Sequence, residues 1–240
     1  MLHILFEDNH CLAVNKPPGL LSQGVPHGVP TLEAQVKAYL KDKYHKPGNV
    51  YLGIPHRLDR PVSGVIVFAR NTKAARRLAE QFQQRQVEKI YWAVVEGTVA
   101  PAEGAWEDWL LKVPDEARAE RAAPDIPGAR HALLHYRVLQ AVAAGTLLEL
   151  RPHTGRTHQI RVQAAGRGWP VVGDTLYGSP KMLGSEADPP RDRPIALHAR
   201  SLTFLHPIRY EPLTLTAPPP PFWAGLGFLE NAEKNREQPT

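Results

Sequence analysis

The chain has 240 residues, of which 42% are hydrophobic, and it carries five tryptophans and 24 prolines. This composition excludes an intrinsically disordered chain and is sufficient for a full hydrophobic core, in one large domain or in two lobes. The formal net charge of +5 suggests an acidic partner such as nucleic acid without proving one, since many basic proteins bind nothing anionic.

Cysteine usage and hydropathy limit the cellular setting. A single cysteine, Cys11, excludes an internal disulfide and any metal site built from several cysteines. No signal peptide opens the chain, and no apolar run approaches the roughly 18 residues that span a bilayer. We therefore expect a soluble, cytoplasmic protein without membrane contact.

The first fifty residues predict two strands and a helix. Short apolar runs at 3–6 and 11–15 flank a polar turn and are typical of strands. Thr31 is a suitable N-cap for a helix running to about residue 43, because apolar side chains recur there at helical spacing.

The stretch 55–70 joins a polar loop to an apolar run at 65–69, which predicts a buried strand. Asp59 therefore lies where loop meets sheet. Its neighbours Arg57 and Arg60 favour the ionised carboxylate. From spacing alone, an Asx turn with solvated arginines is the simpler interpretation.

Further elements alternate between helix and strand. Asn71 or Thr72 caps a predicted helix to about residue 84. Strands are predicted at 89–96, which contains Tyr91, and at 104–113. A tyrosine in such a strand is usually a core residue with a hydrated hydroxyl. The polar segment 114–130 predicts a mobile surface excursion or an insertion.

A probable hairpin, 131–142 and 146–152, leads into a second polar stretch at 154–161. Thr154 is predicted to cap a helix there. Arg156 and Arg161 do not share a helix face, which indicates different roles. From the residues alone, this is a basic helix end with a buried Ile160.

The C-terminal third predicts a polar loop at 179–193 and strands at 196–204 and 213–216. We assign residues 1–222 to one catalytic domain and 223–240 to a C-terminal tail. Strands arriving as hairpins, with few helices, predict an α+β fold. Its mixed, mainly antiparallel β-sheet would have flanking helices and a basic cleft.

Four stretches together resemble the RluA family of RNA pseudouridine synthases, in the expected order and over roughly residues 3–216. They are His-Arg-Leu-Asp at 56–59 followed by Ser-Gly-Val at 63–65, the strand around Tyr91, the octet 154–161, and Gly-Asp-x-x-Tyr-Gly at 173–178. Val62 stands where many relatives have threonine, which affects loop hydrogen bonding and leaves the acid untouched.

The resemblance implies isomerisation of uridine in RNA to pseudouridine, a reaction that needs no cofactor. It implies that Asp59 is catalytic, that Tyr91 lies beside the flipped base, and that Arg161 pairs with Asp59. We assign RNA binding to Arg57, Arg60 and Arg156. Many relatives carry an RNA-binding module upstream. We expect none here, so that a monomeric catalytic domain would recognise a ribosomal or transfer RNA stem-loop by itself.

Two other interpretations remain open. An RNA-binding or ribosome assembly factor could keep this fold without catalysis. A hydrolase or glycosidase would need paired carboxylates, and no convincing second acid accompanies Asp59. A catalytic metal is not expected, because His153 and His158 lack the His-Glu-x-x-His arrangement and no cysteine and histidine cluster accompanies them.

Overall fold

The computed structural model describes residues 2–24 and 28–228. Most of the predicted tail, 229–240, lies outside the described residues. No helix in the described part of the chain is both long enough and apolar enough to cross a bilayer.

One sheet organises the molecule. Its strands, β1 to β10, are His3–Glu7, Cys11–Lys16, Ser63–Ala69, Glu88–Val95, Glu103–Lys112, Ala119–Ala122, Arg130–Val142, Gly145–Pro152, Leu197–Leu205 and Pro212–Thr216. The α-helices α1 to α3 are Leu32–Lys43, Thr72–Gln83 and Gln159–Ala165, and two 3-10 helices are Thr175–Tyr177 and Pro221–Leu226.

The strands lie in the order β1-β2-β3-β9-β4-β8-β7-β5-β6, and β10 pairs with β9. Every pairing is antiparallel except β3 with β9, which is parallel. This arrangement confirms the predicted α+β fold with a mixed, mainly antiparallel sheet.

Strand β3 is buried at every residue because helices cover both of its faces. Successive side chains of a strand point to opposite faces. Val65 and Val67 pack with Leu78 of α2, whereas Ile66 and Phe68 pack with apolar residues of α1. This packing fixes the strand that follows the Asp59 loop.

Gly64 allows the parallel contact between β3 and β9. Its φ is +117°, and a Cβ at this position would collide with the backbone of Ala199. Only glycine adopts this conformation without strain. The close approach sets the exit of the Asp59 loop into the sheet.

The predicted caps of α1 and α2 are confirmed, whereas the cap of α3 is wrong. Thr31 Oγ1 accepts a hydrogen bond from Ala34 N at 3.1 Å, and Asn71 Oδ1 accepts one from Ala74 N at 2.9 Å. Helix α3 begins only at Gln159. Thr154 Oγ1 instead accepts from Leu133 N at 2.9 Å and donates to Gln159 Oε1 at 2.8 Å, because the chain must first turn away from β8.

Two other regions differ from their predictions. The supposed excursion at 114–130 contains β6, which pairs with β5 at the sheet edge. At the C-terminal end, Trp223 and Phe228 are buried in the main core. The packed domain therefore extends beyond residue 222.

Candidate active site

The loop that carries Asp59 is held from several sides. Ser22 Oγ accepts from Leu58 N at 3.1 Å and donates to Leu58 O at 2.7 Å. Val62 N donates to the carbonyl oxygen of Asp59 at 3.1 Å. Together these bonds fix the backbone on both sides of the carboxylate, so its position is set before any substrate binds.

Lys16, which the sequence did not single out, supports the same loop from inside. Its side chain is completely buried, and Nζ donates to the carbonyl oxygens of Pro17, Leu20 and Arg60 at 2.9, 2.7 and 3.1 Å. Burial lowers the pKa of Lys16 to about 7, and the charge of Asp59 opposes that shift. One buried amine therefore joins the loop that follows β2 to the Asp59 loop.

Asp59 opens into a cavity of about 460 Å³ that Tyr91 also lines. Val62, Ile160 and Leu197 give this cavity an apolar wall. Burial, with a further contribution from the Asp59 charge, raises the pKa of the Tyr91 phenol, which is therefore neutral at physiological pH. The cavity combines an ionisable carboxylate, an aromatic ring and apolar surface.

Arg161 contacts two carboxylates, and its shorter contacts are not with Asp59. Its Nε and Nη2 donate to Asp174 Oδ2 and Oδ1 at 2.6 and 2.8 Å, whereas Nη1 lies 3.6 Å from Asp59 Oδ2. Burial disfavours the guanidinium charge, but the hydrogen bonds and charge of Asp174 outweigh it and raise the pKa of Arg161. The arginine that the resemblance pairs with Asp59 contacts it through Nη1 and is oriented by Asp174.

His158 is a site residue that sequence reasoning missed. It occupies the left-handed region with φ +52°, and its Nε2 lies 3.6 Å from Asp59 Oδ2. Its Nδ1 lies 2.9 Å from the hydroxyl of Tyr177. Burial lowers the pKa of His158, so the ring is neutral near pH 7. His158 and Tyr177 both belong to stretches that carried the family resemblance, and this was the available signal.

The three arginines assigned to RNA binding differ in their surroundings. Arg57 is exposed and has no hydrogen-bond or ion-pair partner within residues 2–24 and 28–228. Arg60 donates to Gly19 O at 3.0 Å and contacts Asp192 Oδ1 at 2.7 Å, so its guanidinium holds the loop against the rest of the protein. Arg156 lines the cavity while Nε donates to His131 O at 2.8 Å.

A second cavity, of about 920 Å³, meets the first at Asp59. Arg57, His158 and Arg161 line both cavities. Segments from 115–118 and 190–193 form its outer wall. Asp59 therefore lies at the junction of two open spaces, which suits a residue that acts on one unit of a longer chain.

The geometry does not support a pair of catalytic carboxylates at Arg161. The side chain of Asp174 is 1% exposed and accepts two hydrogen bonds from Arg161. A carboxylate held in this way is not available to protonate a leaving group. The glycosidase interpretation is therefore not favoured.

Outside the two cavities, three residues of types that bind metal ions lie close together: Asp8, Cys11 and His206. Hydrogen bonds already occupy the ligand atoms of Asp8 and His206. His206 Nε2 lies 2.8 Å from Asp8 Oδ2, and Nδ1 accepts from Arg209 N at 3.0 Å. Burial raises the pKa of the Cys11 thiol to about 12. The cluster is best described as a hydrogen-bonded link between the turn after β1 and the segment that follows β9.

The sequence of the chain is similar to those of known proteins over most of its length. The family model described as RNA pseudouridylate synthase matches residues 10–166. An uncharacterized RNA pseudouridine synthase of Zymomonas mobilis is 39% identical over 226 residues, which cover 94% of this chain and 97% of the relative. The dual-specificity RNA pseudouridine synthase RluA of Escherichia coli is 36% identical, with 90% and 93% covered.

Solved structures agree with these sequence matches. Human RNA pseudouridylate synthase domain containing 4 superposes with a TM-score of 0.75 at 27% identity, and 92% of this chain and 90% of that chain are covered. Both the fold and the sequence therefore match over nearly the whole length. The chain belongs to the RluA family of RNA pseudouridine synthases, isomerases that act on RNA.

Proposed function

We propose that Asp59 is the residue with which this protein isomerises specific uridines in ribosomal or transfer RNA. The observation that carries the proposal is the position of its carboxylate. It lies at the junction of two cavities, 3.6 Å from both Arg161 Nη1 and His158 Nε2, in a cavity that Tyr91 shares. A related protein of Xanthomonas campestris, 39% identical, is named ribosomal large subunit pseudouridine synthase D, and one of Yersinia pestis, 32% identical, is named tRNA pseudouridine synthase C.

The reaction moves one bond without any net oxidation or transfer. The bond between N1 of uracil and C1′ of the ribose breaks, the base turns, and C5 bonds to C1′ while its proton is lost and N1 gains one. Asp59 acts as an ionised carboxylate, either by adding covalently to the substrate or by removing the 2′ proton to give a glycal. Both routes need only the side chains already in the cavity.

A uracil stacked in a helix cannot rotate, so the target nucleotide must leave the stack, at a cost of a few kcal/mol. The apolar wall formed by Val62, Ile160 and Leu197 offers it a replacement environment. Arg57, exposed and at the junction of the two cavities, occupies the vacated space or grips the backbone. Contacts to neighbouring phosphates offset the cost of flipping.

Each remaining site residue has a distinct role in this proposal. Tyr91 packs against the flipped base and takes part in proton removal from C5. Arg161, oriented by Asp174, contacts the Asp59 carboxylate and directs it into the cavity. Arg156 contacts the RNA, whereas Arg60 positions the loop through Gly19 and Asp192. We further propose that a single copy of the chain acts on a compact stem-loop in the cytoplasm.

The test is to map pseudouridine by carbodiimide labelling and reverse-transcription stops. RNA would come from cells with the gene deleted and from the same cells carrying wild type, Asp59→Asn or Asp42→Asn. Asp42 is an exposed residue of α1 outside both cavities and provides the matched control. We expect one or more sites to disappear on deletion and to return with wild type and Asp42→Asn only.

The alternative, an RNA-binding or assembly factor without catalysis, predicts a different result. Asp59→Asn would then reverse every effect of the deletion as fully as wild type does, and no pseudouridine would depend on the gene. Pseudouridine can also be measured in ribosomal and transfer RNA incubated with the purified protein. Other enzymes of the cell that modify the same uridine do not affect this second measurement. Formation of pseudouridine there by wild type and not by Asp59→Asn would exclude the alternative.

A further inference from the structure

A group of cations lies in the first cavity on elements other than the Asp59 loop. Arg85 follows the end of α2, Lys89 belongs to β4, and Arg156 precedes α3, and all three line the cavity. Arg130, the first residue of β7, directly precedes His131, whose carbonyl oxygen accepts from Arg156 Nε at 2.8 Å. The charge of Arg130, like that of Arg85, lowers the pKa of Arg156 in addition to the effect of burial. We call these four residues the cation cluster.

The cluster is not neutralised within the described chain. None of its four side chains forms an ion pair with a carboxylate of residues 2–24 or 28–228. Other arginines of the same sheet do form such pairs: Arg121 Nε lies 2.8 Å from Asp108, and Arg151 Nη1 lies 2.7 Å from Glu88. Four cations that repel one another without an acidic partner indicate a site for an anion from outside the chain.

The backbone at Arg85 supports this interpretation. Its φ is +59°, in the left-handed region, where glycine or asparagine is usual and an arginine is uncommon. A Schellman-type helix end holds it there, since Gln86 N donates to Gln81 O at 2.9 Å and Arg85 N donates to Phe82 O at 3.3 Å. Here the conformation ends α2 and places a long basic side chain on the cavity.

The position of Lys89 relates the cluster to the reacting base. Lys89 and Tyr91 are two residues apart on β4, so their side chains share one face of the sheet with about 7 Å between their positions. Burial, together with the charge of Arg85, lowers the pKa of Lys89. A negative charge bound there would offset both effects.

We propose that the cation cluster binds the phosphates of the RNA strand on one side of the flipped uridine. The inference rests on the proposed function and adds the path of the strand: it runs from Asp59, past Lys89 and Arg156, to Arg85 and Arg130. Contacts to phosphates do not distinguish one base from another, so they position the substrate and do not select its sequence.

The test compares Arg85→Gln/Arg130→Gln with Arg76→Gln/Arg137→Gln. Both double variants remove two positive charges, one on or just after α2 and one on β7, but Arg76 and Arg137 lie outside the cation cluster and beside Glu80 and Glu149. The RNA is a fragment containing the mapped uridine. Dissociation constants are measured by filter binding across a salt series, and turnover is measured at saturating RNA.

We expect the cluster variant to reduce the slope of log affinity against log salt by about 1.4, or about 0.7 for each contact to a single strand. At about 0.1 M salt this slope corresponds to an affinity loss of about 25-fold. The control variant and Arg85→Lys/Arg130→Lys should keep the wild-type slope. Turnover at saturating RNA should be unchanged in the control variant and in Arg85→Lys/Arg130→Lys.

A second arm identifies the ligand as backbone phosphate. RNA with neutral methylphosphonate linkages beside the target uridine should bind wild type as weakly as natural RNA binds the cluster variant, and the two changes together should add little. Equal slopes for the cluster and control variants, or full additivity with the modified RNA, would overturn the proposal. Because wild type must form pseudouridine on this RNA, failure of the proposed function shows up separately, as absence of product.

Discussion

Arg161 and Asp174 form a two-point pair in the interior, with N–O distances of 2.6 and 2.8 Å and side chains that are 5% and 1% exposed. This pair leaves Nη1 as the part of the guanidinium that reaches Asp59, at 3.6 Å. A second, buried carboxylate, that of Asp174, therefore sets the orientation of the guanidinium that contacts Asp59. Asp174 acts as a positioning residue in the proposed mechanism.

The first prediction concerns Asp174→Asn. Removing one partner of a buried ion pair leaves an uncompensated charge and costs about 3–5 kcal/mol. We expect the free energy of unfolding in urea to fall by about that amount, and pseudouridine formation to fall with it because Arg161 loses its orientation. Glu88→Gln is the control, since the Arg151–Glu88 pair has side chains 47% and 55% exposed and such pairs contribute about 1 kcal/mol or less. Unchanged stability of Asp174→Asn would contradict the assigned pair.

This pair also shows what the sequence could and could not predict. The strands and the caps at Thr31 and Asn71 follow from local patterns of polarity and capping, and the structure confirms them. The position of Asp59 at the entry to a buried strand follows in the same way. Local patterns repeat over a few residues, so a single sequence is enough to recognise them.

Contacts between distant segments could not be predicted in that way. The sequence predicts that Lys16 is part of a rigid turn, yet its Nζ donates a hydrogen bond to Arg60 O, 44 residues away in the chain. Arg60 reads as an RNA contact, yet it holds Asp192. His158 reached the site only because the chain turns through a left-handed residue before α3. These relationships depend on how the sheet is assembled, and no local pattern records them.

The second prediction separates the ring of Tyr91 from its hydroxyl. The pKa of the phenol is raised, so at neutral pH the hydroxyl is protonated. In the proposed mechanism it takes part in proton transfer once the RNA is bound. We expect Tyr91→Phe to bind RNA with the wild-type dissociation constant, because the ring still packs on the base. Its single-turnover rate should fall by about 10²-fold or more, the usual contribution of a positioned acid or base.

Tyr91→Leu provides the matched comparison, because it keeps apolar volume but lacks both the ring and the hydroxyl. It should lose affinity as well as rate. Wild-type turnover by Tyr91→Phe would show that only the ring contributes. A similar loss of affinity in both variants would show that the hydroxyl serves binding and not the reaction.

The last prediction concerns the pH dependence of stability that Lys16 introduces. Burial lowers the pKa of its amine from 10.5 to about 7 in the folded protein. Between these two values the unfolded chain holds a proton that the folded chain has released, so raising the pH favours the folded state. The free energy of unfolding should therefore rise with pH across this window, by at most about 1.4 kcal/mol for each pH unit. Below the window both states are protonated and the contribution of Lys16 no longer changes.

Lys16→Gln tests this relationship because its amide does not titrate and still donates two hydrogen bonds to the carbonyl oxygens that Lys16 contacts. Urea unfolding from about pH 7 to pH 10 should give a smaller positive slope for Lys16→Gln than for wild type. Lys73→Gln, at an exposed position of α2, should keep the wild-type slope.

Three carbonyl oxygens surround Lys16 Nζ at 2.7 to 3.1 Å, which matches the three donors of an ammonium group. Equal slopes for wild type and Lys16→Gln would therefore mean that these carbonyls keep the amine charged in the folded state, and that the Asp59 loop is held by a buried cation at every pH in the window.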